Sequence, residues 1–116
     1  MKAEVDIGEF NKLVEGIKDK GLEAKKILWD EIQLSTLNIE SGAKMRCPVL
    51  TGRLRASISS LLDQNSQSAA VYTNVEYADD VEKGTPVRKA TPYLYPAFNK
   101  EMILLLNRLK VKFNVK

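Results

Sequence analysis

The chain has 116 residues, the length of one ordinary domain, and its 44% hydrophobic and 28% charged residues are typical of a folded globular protein. Eighteen lysines and arginines against fifteen acidic residues give a net charge of +3, an excess that permits proximity to DNA without requiring it. The longest apolar run, Met102 to Leu106, is far shorter than the ~20 residues that cross a bilayer. We therefore expect a cytoplasmic origin and no membrane contact.

Residues that support catalysis or metal binding are scarce. The chain has no histidine, and its single cysteine, Cys47, can form neither an internal disulfide nor a Cys-His pair. The one tight acidic cluster is Asp79, Asp80 and Glu82. On a helical turn Asp79 and Glu82 share a side while Asp80 diverges, and no other segment supplies further ligands. We predict a non-enzymatic protein with no catalytic residues, metal or cofactor, and we expect Cys47 to be a small buried or half-buried side chain.

Residues 1–46 are predicted to be helical. Asp6 suits the N-cap of a first helix that ends near Gly21 and whose apolar positions follow three-and-four spacing: Ile7, Phe10, Leu13, Val14 and Ile17. A second, longer helix is predicted from about Leu22 to Arg46, because apolar residues recur on one side of it: Leu28, Ile32, Ile39 and Ala43, flanked by Trp29 and Leu37. Pro48 ends this helix, since its ring disfavours helical geometry in the preceding residue.

Residues 47–92 are predicted to be mainly β-structure with loops. Thr51 can cap the segment that follows Pro48, and Gly52 can take a positive φ. A short turn into a strand is favoured there, although the next apolar residues have an ambiguous period: Leu54, Ile58 and Leu61. Two strands, at residues 57–63 and 69–75, are separated by a polar run of hairpin-loop composition. A third strand is predicted near residues 85–89.

The last third of the chain is predicted to hold two helical elements and a tail. Residues 77–83 can form one or two helical turns closed by Gly84, followed at residues 85–92 by an exposed loop or sheet edge. Pro96 suits the first turn of a helix over residues 93–110, which should pack on the sheet through an apolar stripe: Phe98, Met102, Leu105, Leu106 and Leu109. The tail, residues 111–116, continues a strict alternation and is either a frayed basic terminus or a strand that adds to a neighbouring subunit.

Together these elements predict one α+β domain: two N-terminal helices, a small antiparallel sheet with a hairpin, and a C-terminal helix. Structural roles are predicted for the residues at the two glycine junctions, Gly52 and Gly84. Thr51 and Thr85 can hydrogen-bond nearby backbone and so hold their turns.

The order of these signals resembles a family of phage neck proteins, the head-tail joining or tail-completion proteins of long-tailed bacteriophages. In that family a long helix ends in an alanine- or cysteine-proline pair and is followed by Thr-Gly-x-Leu-Arg, a hairpin, Tyr-Ala-x-x-Val-Glu-x-Gly-Thr and an aromatic-x-x-Pro-Ala helix start. The matching segments here are Cys47-Pro48, Thr51-Gly52-Arg53-Leu54-Arg55, Tyr77-Ala78 with Val81-Glu82-Lys83-Gly84-Thr85, and Tyr93-Leu94-Tyr95-Pro96-Ala97. Tyr93 stands where the family often has phenylalanine, and the first 20 residues and the tail after Lys110 match no part of the pattern.

The resemblance implies a structural α+β subunit that joins others in a ring at the virion neck, between portal complex and tail tube, after assembly in the host cytoplasm. Its partners would be copies of itself and the neighbouring connector and tail proteins, with DNA passing through the ring. The family-motif residues it marks are Pro48, Thr51, Gly52, Leu54, Arg55, Tyr77, Ala78, Glu82, Gly84, Thr85 and Pro96.

A second interpretation concerns the basic residues near the two junctions, which can form a rim that meets phosphate or a partner's carboxylates: Arg46, Arg53, Arg55, Arg88 and Lys89. On this interpretation the chain is a small nucleic-acid-binding accessory protein. The simpler alternative is solvated surface charge, because no aromatic interleaving or known nucleic-acid module accompanies these residues.

Overall fold

The computed structural model describes residues 1–5, 21–49 and 52–113, apart from the side chain of Val5. Within these ranges the protein is α+β, as predicted. Its elements in chain order are β1 (Lys2–Val5), α1 (Leu22–Arg46), α2 (Arg53–Ser57), β2 (Ser59–Asp63), β3 (Ser68–Tyr72), α3 (Ala78–Lys83) and α4 (Leu94–Lys112). The predicted first helix lies outside the described residues, as does Thr51.

Helix α1 has the predicted bounds. It follows Gly21, whose φ of 104° breaks the helical path, and it ends where Cys47 turns to extended geometry before Pro48. The predicted apolar side of α1 is buried together with Trp29, whereas Leu37 is 57% exposed and lies on the solvent side. The long helix therefore supplies one face to the core and leaves the opposite face open.

The three described strands form one antiparallel sheet in the order β1, β3, β2. The predicted hairpin is confirmed: β2 and β3 pair from Ser59 opposite Tyr72 to Asp63 opposite Ser68. The third strand was predicted in the wrong place. Residues 85–89 form a turn with only an isolated bridge between Thr85 and Arg88, and the third strand is β1, in a segment predicted to be helical.

A short helix, α2, was missed by the sequence analysis. It occupies Arg53–Ser57, so the strand predicted to begin at residue 57 begins at Ser59 instead. Gly52 precedes α2 with a φ of 80°, in agreement with the prediction for that glycine. The side chain of Leu54 is buried, which anchors this single turn to the core.

Helix α4 packs mainly along α1 and makes a smaller contact with β1. The predicted contact of this helix with the sheet is therefore present, but its main packing partner is α1. The two helices are antiparallel, because α1 Gly42 lies beside α4 Ala97 and α1 Glu31 bonds α4 Arg108. Helix α4 also runs further than predicted. Val111 is helical and exposed, and Phe113 is the buried C-cap, so residues 111–113 are neither the frayed terminus nor the added strand that the two interpretations of the tail predicted.

The core lies between α1, α4 and the inner face of the sheet. Its largest fully buried side chains include Tyr93, Leu28, Ile32, Ile39 and Leu105. Among the residues that the structure describes, no helix has both the length and the hydropathy to cross a membrane.

Candidate functional site

The segment around Glu82 is held by a buried carboxylate that caps the C-terminal helix. Glu82 lies on α3 and is only 4% exposed. Its Oε1 accepts a hydrogen bond from the Leu94 amide at 2.7 Å, and its Oε2 accepts one from the Tyr93 amide at 3.2 Å. The first amides of a helix have no intrahelical acceptor, and a negative charge there also interacts favourably with the helix dipole. The acidic residue of the Tyr-Ala-x-x-Val-Glu pattern therefore joins α3 to α4.

Tyr93 completes this connection from the other side. Its side chain is fully buried, and its hydroxyl donates a hydrogen bond to the Ala78 carbonyl at the start of α3. Burial, with the nearby Glu82 carboxylate, raises the pKa of Tyr93, so the hydroxyl keeps its proton throughout the physiological range. Pro96 occupies the first turn of α4, as predicted. Amides in that turn have no intrahelical acceptor, so the amide hydrogen that proline lacks costs the helix no hydrogen bond.

Gly84 closes α3 and starts a tightly held turn. It has a φ of 79°, and a Cβ at this position would lie 2.7 Å from the amide nitrogen of Ala90. Both the conformation and the close backbone approach require glycine. Beyond it, Thr85 and Arg88 exchange backbone hydrogen bonds at 2.8 and 3.2 Å, and the Thr85 hydroxyl accepts one from the Val87 amide. The turn-holding role predicted for Thr85 is thus present.

The second glycine junction joins α1 to α2. The Arg55 guanidinium donates a hydrogen bond to the carbonyl of Cys47 at 3.2 Å, and so ties α2 back to the end of the long helix. Cys47 is buried, as predicted, and burial raises the pKa of its thiol even though Arg55 acts in the opposite direction. Burial and a raised pKa both favour a packing role for Cys47.

The two junctions meet at a cleft of about 350 Å³. It is lined by residues from both junctions: Pro48, Gly52, Arg53, Leu54, Tyr77, Val81 and Arg88. Leu54 and Val81 are buried and give the cleft an apolar floor, while the two arginines lie at its edge. The cleft is at the small end of the range for ligand sites, and no buried ionisable side chain points to a reaction there.

The predicted basic rim is divided among separate places. Arg53 and Arg88 line the cleft, but Arg53 makes a bidentate ion pair with Glu76, with both distances 2.8 Å, and lies 5.6 Å from the Tyr77 ring centroid. Of the other members, Arg55 bonds the Cys47 carbonyl, Arg46 bonds the Gly42 carbonyl, and Lys89 is exposed on the loop. The cleft therefore brings together two of the five cations, while Arg46 and Arg55 line two other concave surfaces.

The acidic cluster is also split. Asp79 and Asp80 are exposed on α3, whereas both oxygens of Glu82 point inward to the start of α4. In the described ranges, no group of three histidine, cysteine, aspartate or glutamate side chains could hold a metal ion. The cluster is therefore a helix cap with two solvated neighbours.

A polar network between α1 and α4 was missed by the sequence analysis. Arg108 bonds Glu31 at 2.8 Å, Ser35 at 2.6 Å and Glu101 at 3.0 Å, and Lys112 also pairs with Glu31. Burial alone would raise the pKa of Glu31, but the hydrogen bonds and charges of Lys112 and Arg108 outweigh it and lower that pKa. The available signal was the i, i+4 spacing of Glu31 and Ser35 on one helix and of Arg108 and Lys112 on the other.

Comparison with known proteins adds no relative. No family model, curated protein or solved structure matches the chain.

Proposed function

We propose that this protein is a structural, non-enzymatic subunit of the head-tail neck of a long-tailed bacteriophage, acting in tail completion or head-tail joining. It works as part of a homo-oligomeric ring that contacts neighbouring connector and tail proteins, at the virion neck after assembly in the host cytoplasm. The observation that carries the proposal is the convergence of the motif segments. Arg55 ties α2 to the end of α1, Glu82 ties α3 to the start of α4, and residues of both junctions line one cleft.

The chemistry of these junctions supports a structural role. The one buried acidic side chain of the motif, Glu82, accepts two backbone amides and so is committed to capping. One N–H of the exposed Arg55 guanidinium is donated to a backbone carbonyl, which gives this residue a part in holding the fold. A residue that carries out chemistry needs an atom left available for a substrate, and the Glu82 carboxylate is engaged within the fold.

The distribution of exposed apolar side chains supports assembly with other proteins. Large apolar residues are open to solvent on the outer side of both long helices and on the loop after α3: Leu34, Leu37, Met45, Ile103, Leu104, Val111 and Val87. Single exposed apolar residues are ordinary, but groups of them on neighbouring helix faces are typical of interaction surfaces.

The test is electron microscopy of a lysate from the source phage or prophage in which this gene is inactivated. Filled heads separated from tails, or tails that cannot join, are the expected result, and a plasmid copy of the unaltered gene should restore joined particles. The same plasmid without the gene is the matched control and should leave heads and tails apart. Normal particles from the inactivated strain would overturn the proposal.

The nucleic-acid-binding alternative loses support from the described contacts, because Arg53 is paired with Glu76 and Arg55 is bonded to Cys47. It would return if the lysate held normal particles. In that case binding of the purified protein to duplex DNA should weaken steeply as salt rises, as counterion release requires.

A further inference from the structure

A second concave surface lies away from the two junctions, between the outer sides of α1 and α4. This helix groove has a volume of about 520 Å³ and is lined by Asn38, Ser41, Gly42, Met45, Arg46, Ala97, Lys100, Glu101 and Leu104. Two small residues, Gly42 and Ala97, face each other at the floor of the groove. A Cβ on Gly42 would lie 3.3 Å from that of Ala97. The two helices therefore approach closely there and leave a channel above the contact.

Two large apolar side chains are exposed at the helix groove, one from each helix. Met45 is 80% exposed and Leu104 is 42% exposed. Leu34 lies one helical turn before Asn38, so it extends the apolar side of α1 beyond the end of the groove. Methionine adapts its shape to a partner more readily than branched side chains do, which suits an exposed wall of an interaction surface.

The charges at the groove favour an acidic occupant. Arg46 and Lys100 are both exposed, and neither makes an ion pair with a carboxylate of the described residues. The only acidic lining residue is Glu101, whose carboxylate is buried and accepts hydrogen bonds from Arg108 and Asn38. The outward-facing charge is therefore positive.

The position of Lys100 in its helix also favours an acidic occupant of the groove. A cation near the C-terminal end of a helix interacts favourably with its dipole, and this explains Arg46 at the end of α1 without any partner. Lys100 lies in the second turn of α4, near the positive end of that helix, where the dipole gives a cation no such stabilisation. A carboxylate of a partner would provide the favourable electrostatic interaction that Lys100 does not receive from the helix dipole.

We infer that the helix groove binds a segment of a partner protein in which a large apolar side chain is flanked by aspartate or glutamate. The apolar side chain packs between Met45 and Leu104, and the flanking carboxylates pair with Arg46 and Lys100. The inference rests on the proposed role as an assembly subunit and adds the chemistry of one partner to it.

The test uses the full chain as bait for a displayed library of random peptides, followed by anisotropy titration of one enriched peptide after synthesis. The expected enriched sequences place an apolar residue beside acidic ones. Arg46→Glu combined with Lys100→Glu should weaken binding of that peptide about tenfold or more, and Met45→Ala should weaken it as well. The matched control reverses two exposed lysines outside the groove, Lys26→Glu with Lys110→Glu, and should leave the affinity unchanged.

Four outcomes would overturn the inference. They are enriched peptides without acidic residues, equal affinity of the groove variant and the unaltered chain, competition by a short duplex DNA for the same arginine and lysine, and a self-association in sedimentation that Met45→Ala abolishes. Thermal unfolding of each variant checks that the fold is kept.

The same variants separate this inference from the neck proposal. If gene inactivation leaves heads and tails apart but a plasmid copy with the reversed groove charges restores joined particles, the groove inference fails and the neck proposal stands. If the inactivated strain gives normal particles, the neck proposal fails whatever the peptides show.

Discussion

The Oε1 atom of Glu82 lies 2.7 Å from the amide nitrogen of Leu94, so a side chain on a six-residue helix caps a helix that begins twelve positions later in the chain. Its other oxygen holds the Tyr93 amide. The orientation of α4 therefore depends on α3. If either helix shifted, the buried amides of Tyr93 and Leu94 would lose their hydrogen-bond acceptor.

Removal of the Glu82 carboxylate should therefore destabilise the whole fold. Glu82→Ala leaves two amides without their acceptor and should lower the free energy of unfolding by about 2 kcal/mol. Glu82→Gln keeps one carbonyl acceptor and should lose less. Urea unfolding followed by circular dichroism measures both, and equal losses in the two variants would contradict the capping role.

Gly84 and Gly52 form a matched pair for testing the close approach to Ala90. Both have a φ near 80°, but a Cβ on Gly52 meets nothing within 4 Å, whereas one on Gly84 meets the Ala90 backbone at 2.7 Å. Gly52→Ala should cost about 1 kcal/mol for its conformation alone, and Gly84→Ala should cost clearly more. Thermal unfolding of the two single variants gives the comparison. Similar losses would mean that the Gly84 turn relaxes without difficulty.

The buried pairing of Glu31 predicts how stability depends on pH. Because the pKa of Glu31 is lower in the folded protein than in the unfolded chain, its stabilisation is present above the ordinary value of 4.5 and is lost as pH falls through the folded pKa. Glu31→Gln should be less stable near neutral pH and should lose less stability below pH 4.5 than the unaltered protein.

The control for that experiment is the exposed carboxylate Glu76, which pairs with Arg53 at the surface. Glu76→Gln should change the acid unfolding curve much less, because solvent screens this pair. Denaturation at a series of pH values measures all three proteins. An identical acid limb in the unaltered protein and Glu31→Gln would show that Glu31 does not carry the dependence.

The end of α4 supplies the last test. Phe113 is buried and Val111, two positions earlier, is 80% exposed. Phe113→Ala should lower the free energy of unfolding by about 3 kcal/mol, and Val111→Ala should change it by less than about 0.5 kcal/mol. A strand-like tail would give both residues the same exposure. Comparable effects of the two substitutions would therefore argue against the helical end.

The parts of the fold that local signals control were predictable. Gly21 and Pro48 bound α1, Gly84 closes α3, and the polar run between β2 and β3 marks the hairpin, because glycine, proline and short polar side chains restrict the backbone where they stand. The alternation at the C-terminus wrongly suggested a strand. Val111 and Phe113 follow a strand period, although α4 continues through Lys112.

The parts that depend on distant contacts were not predictable. Strand β1 exists through its pairing with β3, whose residues lie almost 70 positions further along. Glu82 and Tyr93 stand in the family pattern, but the contacts by which they join α3 to α4 depend on how these helices pack, which no local signal in the sequence gives. The cleft was not predicted, because the two junctions that line it are separate in the sequence. The partners of Arg53 and Arg55, Glu76 and the Cys47 carbonyl, were not predicted either, because periodicity does not reveal such contacts.

The turn beyond Gly84 has a consequence for association. Its backbone is tied at Thr85 and Arg88 and again where the Thr91 amide bonds the Val81 carbonyl, yet its tip, Val87, is 97% exposed. The backbone of this loop has already lost its conformational entropy on folding. A partner that covers Val87 therefore orders little additional chain, and most of the free energy gained by burying the Val87 side chain contributes to affinity.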